Sequence, residues 1–235
     1  MNNNNNYSNP LETAKDIEKI VVSGSMRKYF GFKEPLFEGD LCCADIVGCN
    51  LSCIYCNSGT LIENPDRVGE FYSPEDAAEK IVRFNSEGVR ISGGEPTIGK
   101  EHLLELLNLI PKNLTVILET NGTLIDRNYA HELSPFENLH VMVSLKGTTP
   151  EEFQKITLCD KSGFFLQINA LKNLIDAGIS ANPAIINIVN ASGIDKLSER
   201  LEEIDKKLAI GLEYERLIKT KNVIENLAKH GVFAD

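Results

Sequence analysis

No apolar stretch in these 235 residues is long enough to cross a bilayer. Concentrated basic charge is missing as well: Lys and Arg number 24 against 34 Asp and Glu, for a net charge of −10, with no basic run, no aromatic and basic interleaving and no appended RNA-binding module. Such a chain is poorly equipped to grip phosphate backbones, so nucleic acid is disfavoured as a substrate and the acidity reads as a solvated surface. The N-terminus lacks the charged start and apolar core of a secretory signal, and no internal repeat is present. With these absences, six cysteines point to a reducing cytoplasm in which thiols bind metal and are not paired as disulfides. At 42% hydrophobic the chain can bury a full core, and single α/β barrels commonly run about 200 to 250 residues, so no second domain is required.

The order of the chain is regular. Asn2 to Asn6 is a low-complexity run read as disordered, and Lys28 to Asp40, with Gly31, Pro35 and Gly39, reads as an ordered lead-in loop. Residues 1–40 thus divide off as tail and lead-in, and 41–235 as the core domain with a short C-terminal helix. From Leu41 onward apolar strand-like runs alternate with amphipathic helical stretches, the pattern of a parallel α/β fold. Strands are expected at Leu41–Val47, Val89–Ser92, Thr115–Glu119, Leu139–Leu145, about Ala184–Val189 and near Ile210–Leu217. Between them, Ser73 and Pro74 open a helix striped by Ala77, Ala78, Ile81 and Val82. Leu103, Leu106, Leu107 and Ile110 stripe the next helix, and another lies near Asp126–Leu133. Thr149, Pro150 and Glu152 make a capping box; Leu171, Leu174 and Ile175 stripe a helix that stops at Gly178; Ile194, Leu197, Leu201, Ile204 and Leu208 stripe one more.

The loop after the first strand reads CNLSCIYC, with Cys49, Cys53 and Cys56 at chelating spacing. Four thiolates would close the coordination of a cubane iron–sulfur cluster; three leave one iron open for a ligand that is not protein. A structural zinc knuckle needs a fourth Cys or His at short range, and the next candidates are His102 and Cys159, each without a partner. A ferredoxin-type cluster needs a fourth cysteine of its own, and Cys42 and Cys43 lie upstream in a strand whose alternation points them to opposite faces.

The cysteine loop, with Tyr55 in the aromatic position before its last thiol, and the run Ser92-Gly93-Gly94-Glu95-Pro96 resemble the radical S-adenosylmethionine (SAM) enzymes over roughly residues 41 to 218. The resemblance implies an incomplete parallel (β/α)6 TIM-like barrel, with Cys49, Cys53 and Cys56 holding a [4Fe-4S] cluster and SAM bound to the open iron through its amino and carboxylate groups. It further implies reductive cleavage of SAM to a 5′-deoxyadenosyl radical that takes hydrogen from substrate, a low-potential donor such as flavodoxin or ferredoxin, and sensitivity to oxygen.

Parallel barrels place their working loops at the C-terminal ends of the strands. There Gly93 and Gly94, lacking Cβ atoms, let a ligand approach bare N–H and C=O groups; by resemblance they hold the SAM amino group, with Glu95 and Pro96 fixing the loop and Glu95 accepting a hydrogen bond near the ligand. An ordinary strand-to-helix turn is the plainer alternative. Alternation puts Glu119 and Asn121 on one face at the end of the third strand, positioned for ribose hydroxyls, unless the pair is a plain Asn-Gly turn. Ser144 and Lys146, in VSLKGTT, are similar to the SAM-carboxylate region of glycyl-radical-enzyme activases; a surface ion pair is the alternative for Lys146. Asn190, after the fifth strand, is either a ligand or a plain loop amide.

Other residues read more plainly. Cys42 and Cys43 are expected as small apolar groups, Cys159 as a substrate-side thiol, a hydrogen-atom donor or neither, and the four histidines, His102, His131, His140 and His230, as helix-surface or strand residues. Glu213, Glu215 and Arg216 either face substrate or form a solvated edge. Three functions follow. The first is activation of a glycyl-radical protein, without a second cysteine cluster or an evident docking element. The second is modification of a small molecule or peptide, as in the carboxy-deazaguanine synthases, which share the ETNGT-like segment but whose serine-proline-lysine run is absent here. The third is a cluster or zinc protein without chemistry on SAM.

Overall fold

In the computed structural model, residues 7–35, 40–59, 63–186 and 193–232 are described. The run Asn2–Asn6 and Asn190 lie outside them. Asn9 caps the first helix, α1 (Pro10–Val21), its Oδ1 accepting the Leu11 N–H at 2.8 Å. Two antiparallel strands follow, β1 (Val22–Ser23) and β2 (Met26–Lys33). The expected lead-in loop from Lys28 is therefore a strand as far as Lys33. Its hydrophobic alternation is masked because Arg27 and Lys28, two long cations, are buried in it with Tyr29.

β2 pairs antiparallel with both β3 (Cys42–Ile46) and β4 (Glu70–Tyr72). From β3 the sheet continues in parallel through β5 (Gly88–Gly93), β6 (Thr115–Thr120), β7 (Leu139–Leu145), β8 (Ser180–Ile186) and β9 (Glu213–Glu215), and does not close on itself. This is the incomplete six-unit parallel barrel that the family resemblance implies, built on the parallel α/β alternation read in the sequence. Strand five begins four residues earlier than expected because Asn182 and Pro183 interrupt its apolar run, and strand six is shorter because residues 206–210 form a turn of helix.

Helices cover one face. They are α2 (Pro74–Arg83), α3 (Lys100–Leu109), α4 (Arg127–Leu133), α5 (Pro150–Thr157), α6 (Gly163–Asp176), α7 (Ile194–Ile204), α8 (Lys206–Ile210) and α9 (Lys221–Lys229). Ser73 caps α2 through Asp76 N–H at 3.1 Å, and Ala77, Ala78 and Ile81 are buried as expected, but Val82 is 45% exposed. Thr149 caps α5 through Glu152 N–H, while the Glu152 carboxylate turns to Thr148, so only half of the expected box forms. Val89 and Ile91, Val116 and Leu118, and Val141, Val143 and Leu145 are buried in one core with Leu103, Leu106, Leu171 and Leu174. The period of two then sends Asp45, Arg90, Ser92, Glu119, Met142, Ser144, Glu213 and Glu215 to the other face, which lines the barrel lumen. Among the described residues no helix is long and apolar enough to cross a membrane.

His102 is not the surface residue expected. It is buried on α3, its Nδ1 2.8 Å from the Ser25 carbonyl oxygen and its Nε2 2.8 Å from the Tyr29 hydroxyl. The carbonyl can only accept, so Nδ1 carries the proton and Nε2 accepts from the tyrosine. Burial pushes the His102 pKa down to about 4. The unfolded chain protonates this ring near pH 6.5 and the folded chain does not, so stability present above that pH falls as pH drops toward 4, by about 3 kcal/mol at full protonation. Urea unfolding of the apoprotein at pH 7 and pH 4.5 should show this loss, and His102→Gln should flatten it. An unchanged pH dependence in the variant would refute the account.

Candidate functional site

The cysteine loop leaves the C-terminal end of β3 and is shaped by backbone bonds to a helix far along the chain. Ser52 N–H donates to Thr157 O at 3.1 Å, Ile54 N–H to Ile156 O at 2.9 Å, and Cys56 N–H closes a turn on Cys53 O at 3.0 Å. Ile54 and Tyr55 are buried with Ile156, Val223 and Leu227 in a small second core. The thiols of Cys49, Cys53 and Cys56 remain partly accessible and line one cavity.

The ends of the other parallel strands, β5 to β9, all contribute to that cavity. Ser92, Gly93 and Gly94 come from β5 and its exit, Glu119 and Asn121 from β6, Met142, Ser144 and Lys146 from β7, Ile186 from β8 and Glu215 from β9. Tyr55 and Glu95 line it as well. The structure thus gathers every described residue singled out in the sequence for cofactor or metal, while Asn190 lies outside the described residues.

The glycine run is required by close packing of backbone on backbone. A Cβ on Gly94 would lie 2.1 Å from Gly48 O, and Gly93 has φ +98° against the backbone of Ile46. Gly94 N–H donates to Ile46 O and Glu95 N–H to Gly48 O, each at 2.7 Å. These N–H groups are therefore not bare, as the sequence suggested; the β3 exit takes them. Glu95 is fully buried and works as a clamp: Oε1 accepts from Thr97 N–H (3.0 Å), Thr97 Oγ1 (2.5 Å) and Thr120 Oγ1 (2.6 Å), and Oε2 from Asn121 N–H (2.7 Å).

Asn121 and Glu119 likewise have partners already. Asn121 Oδ1 accepts from Thr123 N–H (2.9 Å) and Thr123 Oγ1 (2.6 Å), while its Nδ2 donates to Asn50 Oδ1 (2.8 Å) and approaches Cys49 Sγ at 3.8 Å. Asn50 Nδ2 returns to Thr123 Oγ1 at 2.8 Å, closing a ring of three side chains under Cys49. Glu119 pairs with Arg90. The two residues expected to emerge together for ribose both line the cavity, where Asn121 also braces the cysteine loop and Glu119 holds a guanidinium.

Lys146 Nζ donates to Ser144 Oγ at 2.6 Å and lies 5.7 Å from the centre of the Tyr55 ring. Burial alone would lower its pKa, but the Tyr55 phenol, the Cys53 and Cys49 thiols and Glu215 together hold it above the ordinary lysine range, so it is an ammonium. Burial raises all three thiols, Cys49 well above the usual range with Glu95 adding to the effect, and Cys53 to about 12 despite Lys146. Thiols that hold their protons release them when a metal binds. The Tyr55 hydroxyl is buried on this cavity without a hydrogen-bond partner. Cys159 is turned away, its Sγ donating toward Thr157 O and Asn50 O.

This donor set fits a cubane cluster. Three thiols share one wall, and among the described residues no three Cys, His, Asp or Glu side chains converge on a single ion, which a cubane does not ask of them because each thiolate takes its own iron. Over residues 45–209 the sequence matches the model of the Radical SAM superfamily. The chain belongs to that superfamily. Its members are enzymes that use a [4Fe-4S] cluster and SAM. A probable GTP 3′,8-cyclase of Methanosarcina acetivorans is 28% identical over 98% of this chain and 66% of its own length. Mycofactocin maturase MftC of Mycolicibacterium smegmatis is 28% identical over 64% of this chain and 38% of its own. Among solved structures, Streptococcus suis SuiB bound to S-adenosylmethionine superposes with a TM-score of 0.59 at 17% identity, over 79% of this chain and 44% of that one. The chain thus spans less than two thirds of the length of each of these relatives.

Asn50, Thr97, Thr120 and Thr123 were not read as site residues in the sequence; of the two readings left open for Glu215, the structure places it on the cavity. If Glu95 is the clamp, Glu95→Gln sets an NH2 against N–H donors and should cost about 2 to 3 kcal/mol. Thermal unfolding of the apoprotein should drop by several degrees; an unchanged midpoint would exclude the clamp.

Proposed function

We propose that Cys49, Cys53 and Cys56 hold the cluster, that carbonyl groups of the Gly93–Gly94 run receive the SAM amino group, and that Lys146 with Ser144 receives its carboxylate. The observation that carries the assignment is the single cavity shared by the three thiols, the glycine run and an ammonium held charged by its surroundings. An amino group is a donor, so it suits carbonyl oxygens and not the N–H groups that β3 has already taken. When bound, the reduced cluster supplies the electron that cleaves SAM and so generates the radical that abstracts hydrogen from substrate. The chain's own part is to orient and to exclude water: Asn121, Asn50 and Thr123 brace Cys49, Tyr55 anchors the loop, and Met142 and Ile186 give the cavity apolar walls.

For substrate, a peptide or protein segment is the better reading, with a nucleotide as the second. Among the described residues the lumen face of the sheet carries Lys33, Arg90 and Lys146 against Asp45, Glu119, Glu213 and Glu215, with Lys33 paired to Asp45 and Arg90 to Glu119, a net charge of −1. A triphosphate would meet net negative charge there. The GTP cyclase name of several relatives favours the nucleotide; the maturase name and the acidic lumen favour the peptide. A glycyl-radical loop is one such protein segment, although the relatives reported above carry other names.

After anaerobic reconstitution, dithionite and SAM should yield 5′-deoxyadenosine, and alanine at any of Cys49, Cys53 or Cys56 should abolish it while Cys42→Ala retains it. Equal loss from Cys42→Ala would sink the ligand assignment. Lys146→Ala should weaken SAM binding at least tenfold with the iron content kept. GTP at millimolar concentration should neither bind saturably nor stimulate SAM cleavage, and saturable binding would return the reading to a nucleotide cyclase.

A further inference from the structure

One lumen carboxylate stands without a partner. Asp45 is paired with Lys33 and Glu119 with Arg90, while Glu213 Oε1 accepts from Asn182 Nδ2 at 2.9 Å, and His140 Nε2 lies 2.6 Å from Asn182 Oδ1. Glu215 lines the cofactor cavity and is partly buried, yet among the described residues it makes no hydrogen bond and no ion pair. Burial pushes its pKa up, Lys146 pulls it down, and Glu119 and Glu213 push it up again, so its charged form is short of cations. The cation acting most strongly on it is Lys146, the ammonium assigned above to the SAM carboxylate. Once a carboxylate sits on Lys146, Glu215 is left as an uncompensated charge in an enclosed space, which is costly. A second orphan lines the same cavity: the Tyr55 hydroxyl, on a residue 5% exposed, has no hydrogen-bond partner. A carboxylate and a phenol oxygen can both accept from the N–H groups of a cation.

We propose that Glu215 receives a cationic side chain of the substrate, with the Tyr55 oxygen as second acceptor, and so selects peptides that present lysine or arginine to the cavity. The inference deepens the peptide reading given above and rests on it for the word peptide; the recognition of a cation rests on Glu215 itself. The position suits the role. β9 pairs only with β8 and borders the gap in the unclosed sheet, at the opposite end of the parallel strands from β3, which carries the cysteine loop. Such a site selects by exclusion as well as by attraction: a neutral isostere leaves the carboxylate unpaired, and an anion in its place adds repulsion. An ion pair at one end of a side chain also holds the C–H bonds behind it in place, which is what positioning for hydrogen abstraction requires.

The test uses the reconstituted protein with SAM bound, free pentylamine, and three pentapeptides, acetyl-Gly-Gly-X-Gly-Gly-amide with lysine, glutamine or glutamate at X. The lysine peptide should bind about tenfold or more tightly than the glutamine peptide, and the glutamate peptide should bind worst. Glu215→Gln should bring the lysine and glutamine peptides to within about threefold of each other. Glu215→Lys should reverse the order, so that the glutamate peptide binds best, a result that no misfolded variant gives. Equal affinities for the three peptides in the unaltered protein, or a lysine preference that survives Glu215→Gln, overturns the proposal. A fall in SAM affinity in Glu215→Gln as large as the fall for the lysine peptide overturns it too, because the carboxylate then serves the SAM sulfonium. Pentylamine separates the two readings: saturable binding that is lost in Glu215→Gln, with no binding of any peptide, upholds the cation site and overturns the peptide. Absence of saturable binding by both pentylamine and the lysine peptide overturns the cation site.

Discussion

The approach of Gly94 to Gly48, too close for any Cβ between them, sets the distance between the glycine run and the cysteine loop. Two short backbone bonds hold it, and the Glu95 carboxylate extends the same restraint to the end of β6 through Thr120 and Asn121. A buried carboxylate is tolerable only when its lone pairs are used, and Glu95 uses both oxygens. Three neighbouring strand ends are therefore locked together by groups that leave few degrees of freedom. Such restraints fix the width of the cavity, and a fixed cavity lowers the ordering cost of binding.

A second brace comes from the N-terminal segment. Arg27 is sealed and donates to four carbonyl oxygens, those of Ile98 (2.9 Å), Lys28 (3.3 Å), Val21 (3.4 Å) and Glu95 (3.4 Å). Burial lowers its pKa to about 10, which still leaves it charged near neutrality. Because that charge is dispersed over main-chain dipoles, the guanidinium ties α1, β2 and the loop after Glu95 into one unit. Pro10 O reaches the same machinery by accepting from Asn50 Nδ2 at 3.0 Å. The first described residues are thus part of the scaffold of the site, and not an appendage to the barrel.

What was legible in the sequence was what depends on local spacing. β7 has the expected bounds because Val141, Val143 and Leu145 alternate without interruption, and the cysteines and glycines announce themselves because their chemistry needs them close in sequence. What was hidden depends on distance along the chain. Glu95 finds Thr120 and Asn121 25 and 26 positions away, and Asn50 finds Thr123 at 73; no local pattern encodes such pairs. β2 was hidden for another reason, since a strand that buries Arg27 and Lys28 contradicts the ordinary hydrophobic signal and is paid for by carbonyl partners that only the fold supplies. Asn121 illustrates both cases: its position at a strand end was readable, and its commitment to Thr123 and Asn50 was not.

The cysteine loop is a wall with two chemically different sides. Toward the lumen it presents thiols and the Tyr55 hydroxyl among charged and polar strand residues; away from it, Ile54 is sunk in an apolar cluster with Val223 and Leu227, which the Tyr55 ring joins from the cavity side. A hydrogen atom taken from a substrate must leave on the lumen side, where water and competing donors have to be kept out, whereas an electron needs only proximity and can cross a packed wall. The lumen side can therefore stay enclosed while α9, on the other side of the wall, faces solvent. The small apolar cluster serves both ends of that arrangement, because packing α9 onto the loop fixes the thiols and at the same time brings a solvent-facing helix against the residues that hold them.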